Sequence, residues 1–396
     1  MVSNRKSRDL LGGTKLSPQI LIAVLVAVLG VVLLTAGHAA TSTVATQAES
    51  GRINTNATSF SSSNASAGAA VKFRAPTSPT GLWKPTADKP LKLGWILGDA
   101  INLNFLQTKN LIGQTIPEAD VYDIEGFTNS GATVQALHNK GKKVICYIDT
   151  GVWEAGRPDD SKFPGVQNYG IAYTGDPQYA GVNVLGSVDK GWNSGGQANR
   201  WLDIRRIDIL APIMKARIQM CKDKGFDSIE PDEMVNYTNS PGFPLTYAHQ
   251  LAYNKAVASW AHEIGISIGL KDDHEQAHDL ANDFDWMLDE ECWAFDECIT
   301  INGTGPGGPS GDFDSTVAFS KKNKAVWIAE YPDGDAGNGQ DYPASEIDIT
   351  QPSHLTVART NQICNDSIAN RLNTAFYITG LPTNGGRTDC PQFPAR

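Results

Sequence analysis

From residue 91 onward, short apolar runs alternate with stretches in which apolar residues recur at three- and four-residue spacing. The first pattern is that of buried strands and the second that of amphipathic helices. The runs fall at 91–97, 121–126, 143–149, 228–232, 266–272, 285–290, 325–331 and 374–379. The clearest helical stretches are 209–224, 247–264 and 355–372. Gly141, Gly225 and Gly265 stand shortly before the next apolar run, where a helix ends most easily on a left-handed residue. Eight strands with helices between them describe repeated βα units. A closed (β/α)₈ TIM barrel is therefore the expected fold, of class α/β, with a doubly wound open sheet as the alternative.

The chain before residue 81 has a different character. Arg5, Lys6, Arg8 and Lys15 precede an uncharged apolar run from 20 to 34, and small residues follow at Ala36, Gly37, Ala39 and Ala40. That order reads as an export signal cleaved near residue 40, or as an uncleaved anchor through residues 20–36 with its N-terminal end held in the cytoplasm. Both place the body of the protein outside the cytoplasm, secreted or at the cell surface. Residues 41–80 are rich in Ser, Thr, Ala and Asn and read as a flexible linker. The expected organisation is thus 1–40 signal or anchor, 41–80 linker and 81–396 catalytic barrel.

Charge narrows the functions. The formal net charge is −10, and the leader is basic, so the body is more acidic still. An acidic body argues against nucleic-acid binding and suits a cationic partner. None of the six cysteines forms a C-x-x-C pair, which argues against a zinc ribbon or a thioredoxin-type motif. Cys146 lies inside an apolar run and reads as a buried thiol, while Cys292, Cys298, Cys364 and Cys390 are the better disulfide candidates, with their pairing open.

Strand after strand ends in carboxylates: Asp123 and Glu125, Asp149, Glu230, Asp232 and Glu233, Asp272 and Asp273, Asp289 and Glu290, and Glu330. In a barrel these ends share one rim, where active sites are built. Crowded acids repel and raise one another's pKa. Glycoside hydrolysis is the chemistry that asks for such a set, one carboxylic acid to protonate the leaving oxygen and one carboxylate as nucleophile or base. A divalent-metal site is the competing reading; no EF-hand spacing or H-E-x-x-H motif supports it, and neither metal nor other cofactor is expected. Aromatic residues near the same ends, including Trp95, Tyr147, Trp153, Trp192, Tyr237, Trp293 and Tyr331, could pack on sugar rings or cations. Core filling accounts for about half of them.

The stretch YDIEGFTNSGATVQALHNKGKKVICYIDTGVWEAGRPD at 122–159 resembles glycoside hydrolase family 114. So do WLDIR at 201–205, GFDSIEPDE at 225–233, FDWMLDEECW at 284–293 and KAVWIAEY at 324–331. The resemblance implies a (β/α)₈ barrel with endo-α-1,4-polygalactosaminidase activity, cutting a cationic galactosamine-rich polysaccharide of the kind found in microbial biofilms. It implies Asp232 as nucleophile or stabilising carboxylate and Glu290 as general acid/base. It further implies Asp123, Asp149, Glu230 and Lys271 as positioning groups. With the rim acids and aromatics, the candidate substrate-binding set is Asp123, Glu125, Tyr147, Asp149, Trp153, Glu230, Glu233, Tyr237, Lys271, Asp272, Trp293, Glu330 and Tyr331. The chain departs from the family pattern where acids replace amides: Glu233 stands for Asn, Asp272 for Asn and Glu291 for Gln. Glu125 stands for an Asp, and Thr128 for another. A hydrolase of another α-linked glycan, or a non-catalytic surface carbohydrate binder, are the alternatives.

Overall fold

In the computed structural model the described residues are 81–189, 198–299, 315–332, 342–378, 385–392 and 394, with the backbone of short strands at 57–61, 69–73, 301–303 and 311–313. Residues 1–78 and 79–396 form two compact units. In the first, β1 (Ala57–Ser61) and β2 (Ala69–Phe73) pair antiparallel within the stretch expected to be a linker. The expected leader and the tether at 20–36 lie outside the described residues. No helix among the described residues is long and apolar enough to cross a membrane.

The second unit opens with β3 (Leu93–Ile96), β4 (Val121–Glu125) and β5 (Lys143–Asp149). A small antiparallel sheet of β6 (Val152–Trp153), β7 (Leu185–Val188) and β8 (Arg200–Leu202) follows. Then come β9 (Ser228–Asp232), β10 (Ser267–Lys271) and β11 (Trp286–Glu290). β12 (Ile301–Gly303) and β13 (Gly311–Phe313) form a hairpin before β14 (Val326–Glu330), β15 (Asn373–Tyr377) and β16 (Arg387–Asp389). The main sheet runs β3-β4-β5-β9-β10-β11-β14-β15, parallel at every step, with β16 antiparallel on β15. These eight parallel strands coincide, within a residue or two at their ends, with the eight apolar runs.

Helices α1 (Gly131–Asn139), α2 (Ile207–Lys224), α3 (Tyr247–Ile264), α4 (Ala277–Leu280), α5 (Val317–Lys321) and α6 (Val357–Asn370) return the chain between strands. Local chemistry sets their ends. Ser130 and Thr246 accept N-cap hydrogen bonds from Thr133 and His249, and α2 and α3 stop on Gly225 and Gly265 at φ 90° and 86°.

The pleat sorts the side chains into two cores. Leu93, Trp95, Val121, Ile145, Trp286, Leu288, Trp327, Ala329 and Tyr377 fill the barrel interior. Tyr122, Ile124, Cys146, Ile148, Ile229, Leu270, Met287 and Ile328 face the helices. Between β3 and β15, Tyr377 Oη donates to the Leu93 carbonyl at 2.8 Å. Gln107 pairs with the free main chain of Trp95, accepting from its N–H at 3.1 Å and donating to its carbonyl at 2.8 Å.

All six cysteines are paired: Cys146–Cys221, Cys292–Cys298 and Cys364–Cys390. This corrects the reading of Cys146 as a free thiol. It points out of the barrel onto α2, where Cys221 meets it.

Candidate active site

The C-terminal end of the barrel gathers its charge around Lys271. This lysine, the last residue of β10, is 2% exposed. Its ammonium donates to Glu290 Oε2 at 2.8 Å and to the Asp272 carboxylate, and lies 3.6 Å from Asp232 Oδ1. It also sits 5.8 Å from the Trp95 ring centroid. Asp232 ends β9 and Glu290 ends β11. Both remain partly open to solvent, with side chains 20% and 31% exposed.

Two tyrosines complete the ring. Tyr147 donates to Asp232 Oδ2 at 2.7 Å. Tyr331 hydrogen-bonds Glu290 and stacks on Trp95 at 6.4 Å between centroids. Burial, then the neighbouring carboxylates, hold both phenols well above their ordinary range, so they stay protonated donors.

One layer deeper lie Asp123 and Glu230, both 0% exposed. Glu230 Oε1 receives no bond from an N–H or a hydroxyl, while Asp123 is in contact with the Ile124 main-chain N–H. The two carboxyls also contact each other, in a carboxyl–carboxyl hydrogen bond that needs a proton on one of the two. Burial pushes Asp123 up to about 8 and Glu230 well above its usual range, with each other's charge adding to the shift of Glu230. Trp95 Nε1 donates to Glu230 Oε2 at 3.0 Å.

The acidic departures occupy strained backbone. Glu233, Asp272 and Glu291 have φ of 56°, 49° and 63°, the left-handed region that Asn tolerates better than most residues. Burial raises Glu233 well above its normal range, followed by repulsion from Asp232 and Asp189. Asp272 is pushed up to about 7, again chiefly by burial, against the pull of Lys271.

The structure separates other expected residues from this centre. Glu330 follows inward Ala329 and precedes inward Tyr331, so it faces the helix side; it accepts from Trp293 N at 2.9 Å and from the Tyr342 hydroxyl. Asp289 points outward for the same reason, toward His274 at 3.4 Å. Asp149 Oδ1 caps the turn into β6, accepting from Gly151 and Val152. Glu125 accepts from Thr128 N and forms an ion pair with Arg157 at 2.8 Å. Trp153 is fully buried, stacked on Tyr169 with its indole N–H on the Asp160 carbonyl; Trp293 is 6% exposed and bonded to Thr374. Tyr237 stands apart with Glu275, at 2.6 Å, and edge-on to Tyr247. Trp192 lies outside the described residues.

Trp95 was legible as an aromatic near a strand end, yet its place between Glu230 and Lys271 was not. The signal was its inward parity on β3, two residues beyond Leu93. Among the described residues, one group of possible metal donors comes together, Cys292, Cys298 and Glu330, and its two sulfurs are joined in a disulfide.

The open end of the parallel barrel, where such folds build their sites, thus sets two solvent-reachable carboxylates against one buried ammonium. The family model for glycoside-hydrolase family GH114 matches residues 76–374, and the chain belongs to that family. It is a glycoside hydrolase. Aspergillus fumigatus Ega3, solved as a complex with galactosamine, is 25% identical, with a TM-score of 0.57 over 79% of this chain and 100% of that one. The glycoside hydrolase domain of PelA from Pseudomonas aeruginosa is 10% identical, with a TM-score of 0.41 over 75% of this chain and 98% of that one. No curated protein sequence matches the chain.

Proposed function

We propose that this glycoside hydrolase cleaves α-1,4-linked galactosamine-rich polysaccharide, endo-acting and outside the cytoplasm, with Asp232 and Glu290 as its carboxylate pair. The observation that carries the proposal is Lys271, whose ammonium faces both carboxylates at once. The substrate class rests on the similarity to a protein solved with galactosamine and on the acidic centre, which suits a polymer of protonated amines. Three disulfides accord with an exported protein whose residues 1–40 act as signal or anchor and 41–80 as linker.

In the first step Glu290 donates its proton to the glycosidic oxygen while Asp232 attacks the anomeric carbon. The C–O bond breaks, the leaving chain departs as an alcohol and a glycosyl ester forms on Asp232. In the second, Glu290, now a carboxylate, takes a proton from water, which displaces Asp232 and regenerates both groups. Their shared contact with Lys271 keeps one oxygen of each carboxylate within about 6.4 Å of the other, close enough for both to reach one glycosidic bond. Tyr147 holds Asp232 in line, and Lys271 holds the two carboxylates in a fixed relation.

The test is reducing-end release from α-1,4-galactosamine polymer by residues 80–396, beside Asp232→Asn and Glu290→Gln. Release by the parent, lost at least about a hundredfold in both variants, supports the proposal. Tight binding with no release favours the non-catalytic reading. Neither binding nor release moves the substrate to another α-linked glycan.

A further inference from the structure

A general acid beside a lysine is in an awkward position. The ammonium of Lys271, 2.8 Å from Glu290, favours the ionised carboxylate and so works against the proton that Glu290 must donate. Asp232 and Asp272 share that ammonium, and Tyr331 donates to Glu290. Those two carboxylates offset Lys271 in part, and buried negative charge beneath it would offset it further.

The groups beneath it are in place to do so. Glu230 is joined through Trp95 Nε1 to the indole over which Lys271 lies. Asp123 is hydrogen-bonded to Glu230 from the neighbouring side of the barrel. Both carboxyls are shut off from bulk solvent at 0% exposure, and their donors among the described residues are one indole N–H, from Trp95, and the main-chain N–H of Ile124. Two buried carboxylates in contact, both ionised and with no cation of their own, would be severely destabilising. One shared proton removes the conflict: the pair becomes a single buried anion, its O–H donated from one carboxyl to the other. The remaining ionisable groups that act on it are Asp232 on β9, Lys271 on β10 and Tyr377 on β15. Of these Lys271 is the sole cation.

We infer that Asp123 and Glu230 share one proton and form a buried counter-anion that lets Glu290 keep its catalytic proton beside Lys271. They are positioning residues, acting through Lys271 and Trp95 without touching the substrate. The inference rests on the assignment of Glu290 as general acid.

Amide substitution separates this from a packing role. Asp123→Asn or Glu230→Gln replaces the shared O–H by an amide N–H and keeps one negative charge. Each single variant is therefore expected to hold the alkaline limb of the pH–kcat profile where the parent has it. Asp123→Asn with Glu230→Gln removes the charge, and the limb is expected to move down by about one pH unit. A limb that stays put in the double variant, whatever happens to kcat, overturns the inference. So does a limb that moves in both single variants, which would mean a fully ionised pair.

A second readout needs no substrate and remains valid if the polymer is not cleaved. Infrared difference spectra at neutral pH should show a protonated-carboxyl carbonyl band, sensitive to deuterium exchange, in parent minus Asp123→Asn and in parent minus Glu230→Gln. Absence of the band from both differences overturns the shared proton.

Discussion

Strands β9 and β11 each carry an acid at both ends, and the two ends solve the same electrostatic problem in opposite ways. At the foot of β9, Asp227 accepts from His138 at 2.7 Å, Lys143 at 2.6 Å and Val144 N at 2.9 Å. At the foot of β11, Asp285 takes Lys84 at 2.7 Å, His262 at 2.9 Å and Ile268 N at 3.2 Å. Five residues further along the same strands stand Asp232 and Glu290, which share the single ammonium of Lys271 with Asp272. Burial pushes the foot acids up, but their cations and hydrogen bonds win and hold both below the normal carboxylate range. At the other end burial wins, and Asp123, Glu230, Glu233 and Asp272 all rise. One end spends its cations on stability. The other leaves acids under-neutralised, which is where a proton donor and a cationic substrate can be accommodated.

The sharpest way to break this contrast is to remove a charge at the top. Asp232→Asn and Glu290→Gln are expected to lower hydrolysis by about a thousandfold or more, while leaving the unfolding midpoint unchanged or raised. Asn at 232 still accepts from Tyr147, and Lys271 keeps Asp272. Activity assays beside thermal unfolding check this; a large stability loss in both would mean that the top acids serve the fold. At the foot the expectation reverses. Asp227→Ala strands His138 and Lys143 and should lose about 3 kcal/mol in urea unfolding with kcat nearly unchanged. A fall in kcat without loss of stability would show that the two ends are not separate.

The eight barrel strands were legible because each is an apolar run bounded by a change of period, and α3 at 247–264 matches its expected span. The ring of acids was legible as a pattern along the chain but not as a site. Which acids meet depends on the pleat and on the path of the loop that leaves each strand. Glu330 and Asp289 fall on the wrong parity; Asp149 and Glu125 have inward parity but are turned away by Val152 N and Arg157. Neither effect is visible without knowing where each strand begins to twist into its loop. The disulfide at Cys146 was hidden for a related reason: an apolar strand position facing a helix is equally suitable for a thiol and for a cross-link.

The contrast also has a pH signature. For Asp227 and Asp285, whose folded pKa values are depressed below 3.8, the contribution to stability is present above that value and lost as the pH falls through the lower, folded one. For Asp123 and Glu330, raised to about 8, the sign is opposite. Their folded forms hold a proton that the unfolded chain releases near pH 4, so stability is full below that and declines as the pH rises toward 8. Unfolding free energy should therefore peak in the mildly acidic range. Glu330 is the cleaner probe because its side chain faces the helix side, on Trp293 N and the Tyr342 hydroxyl, and not Lys271. Glu330→Gln can still accept from Trp293 N and is expected to recover on the order of 2 kcal/mol at pH 8 while changing little near pH 4. Urea midpoints across that range test it, and a parallel offset at all pH values would assign the effect to packing instead of ionisation.

The smallest effect bears on why the top end carries more acid than the family pattern. Glu233 combines a left-handed backbone at φ 56° with a half-buried carboxyl facing Asp232 and Asp189. Both features oppose stability, and Asn, the family's residue at this position, relieves both: it tolerates the left-handed region and carries no charge. Glu233→Asn is thus expected to gain about 1 kcal/mol in unfolding free energy. If the extra acid serves binding, the same variant should raise KM for the cationic polymer severalfold at low ionic strength, with the gap closing as salt screens the interaction. Gain in stability together with that salt-dependent loss would show that the strain is retained for recognition. Gain with an unchanged KM would leave Glu233 as a residue the rim tolerates rather than uses, and loss of stability would mean its local contacts outweigh the backbone cost.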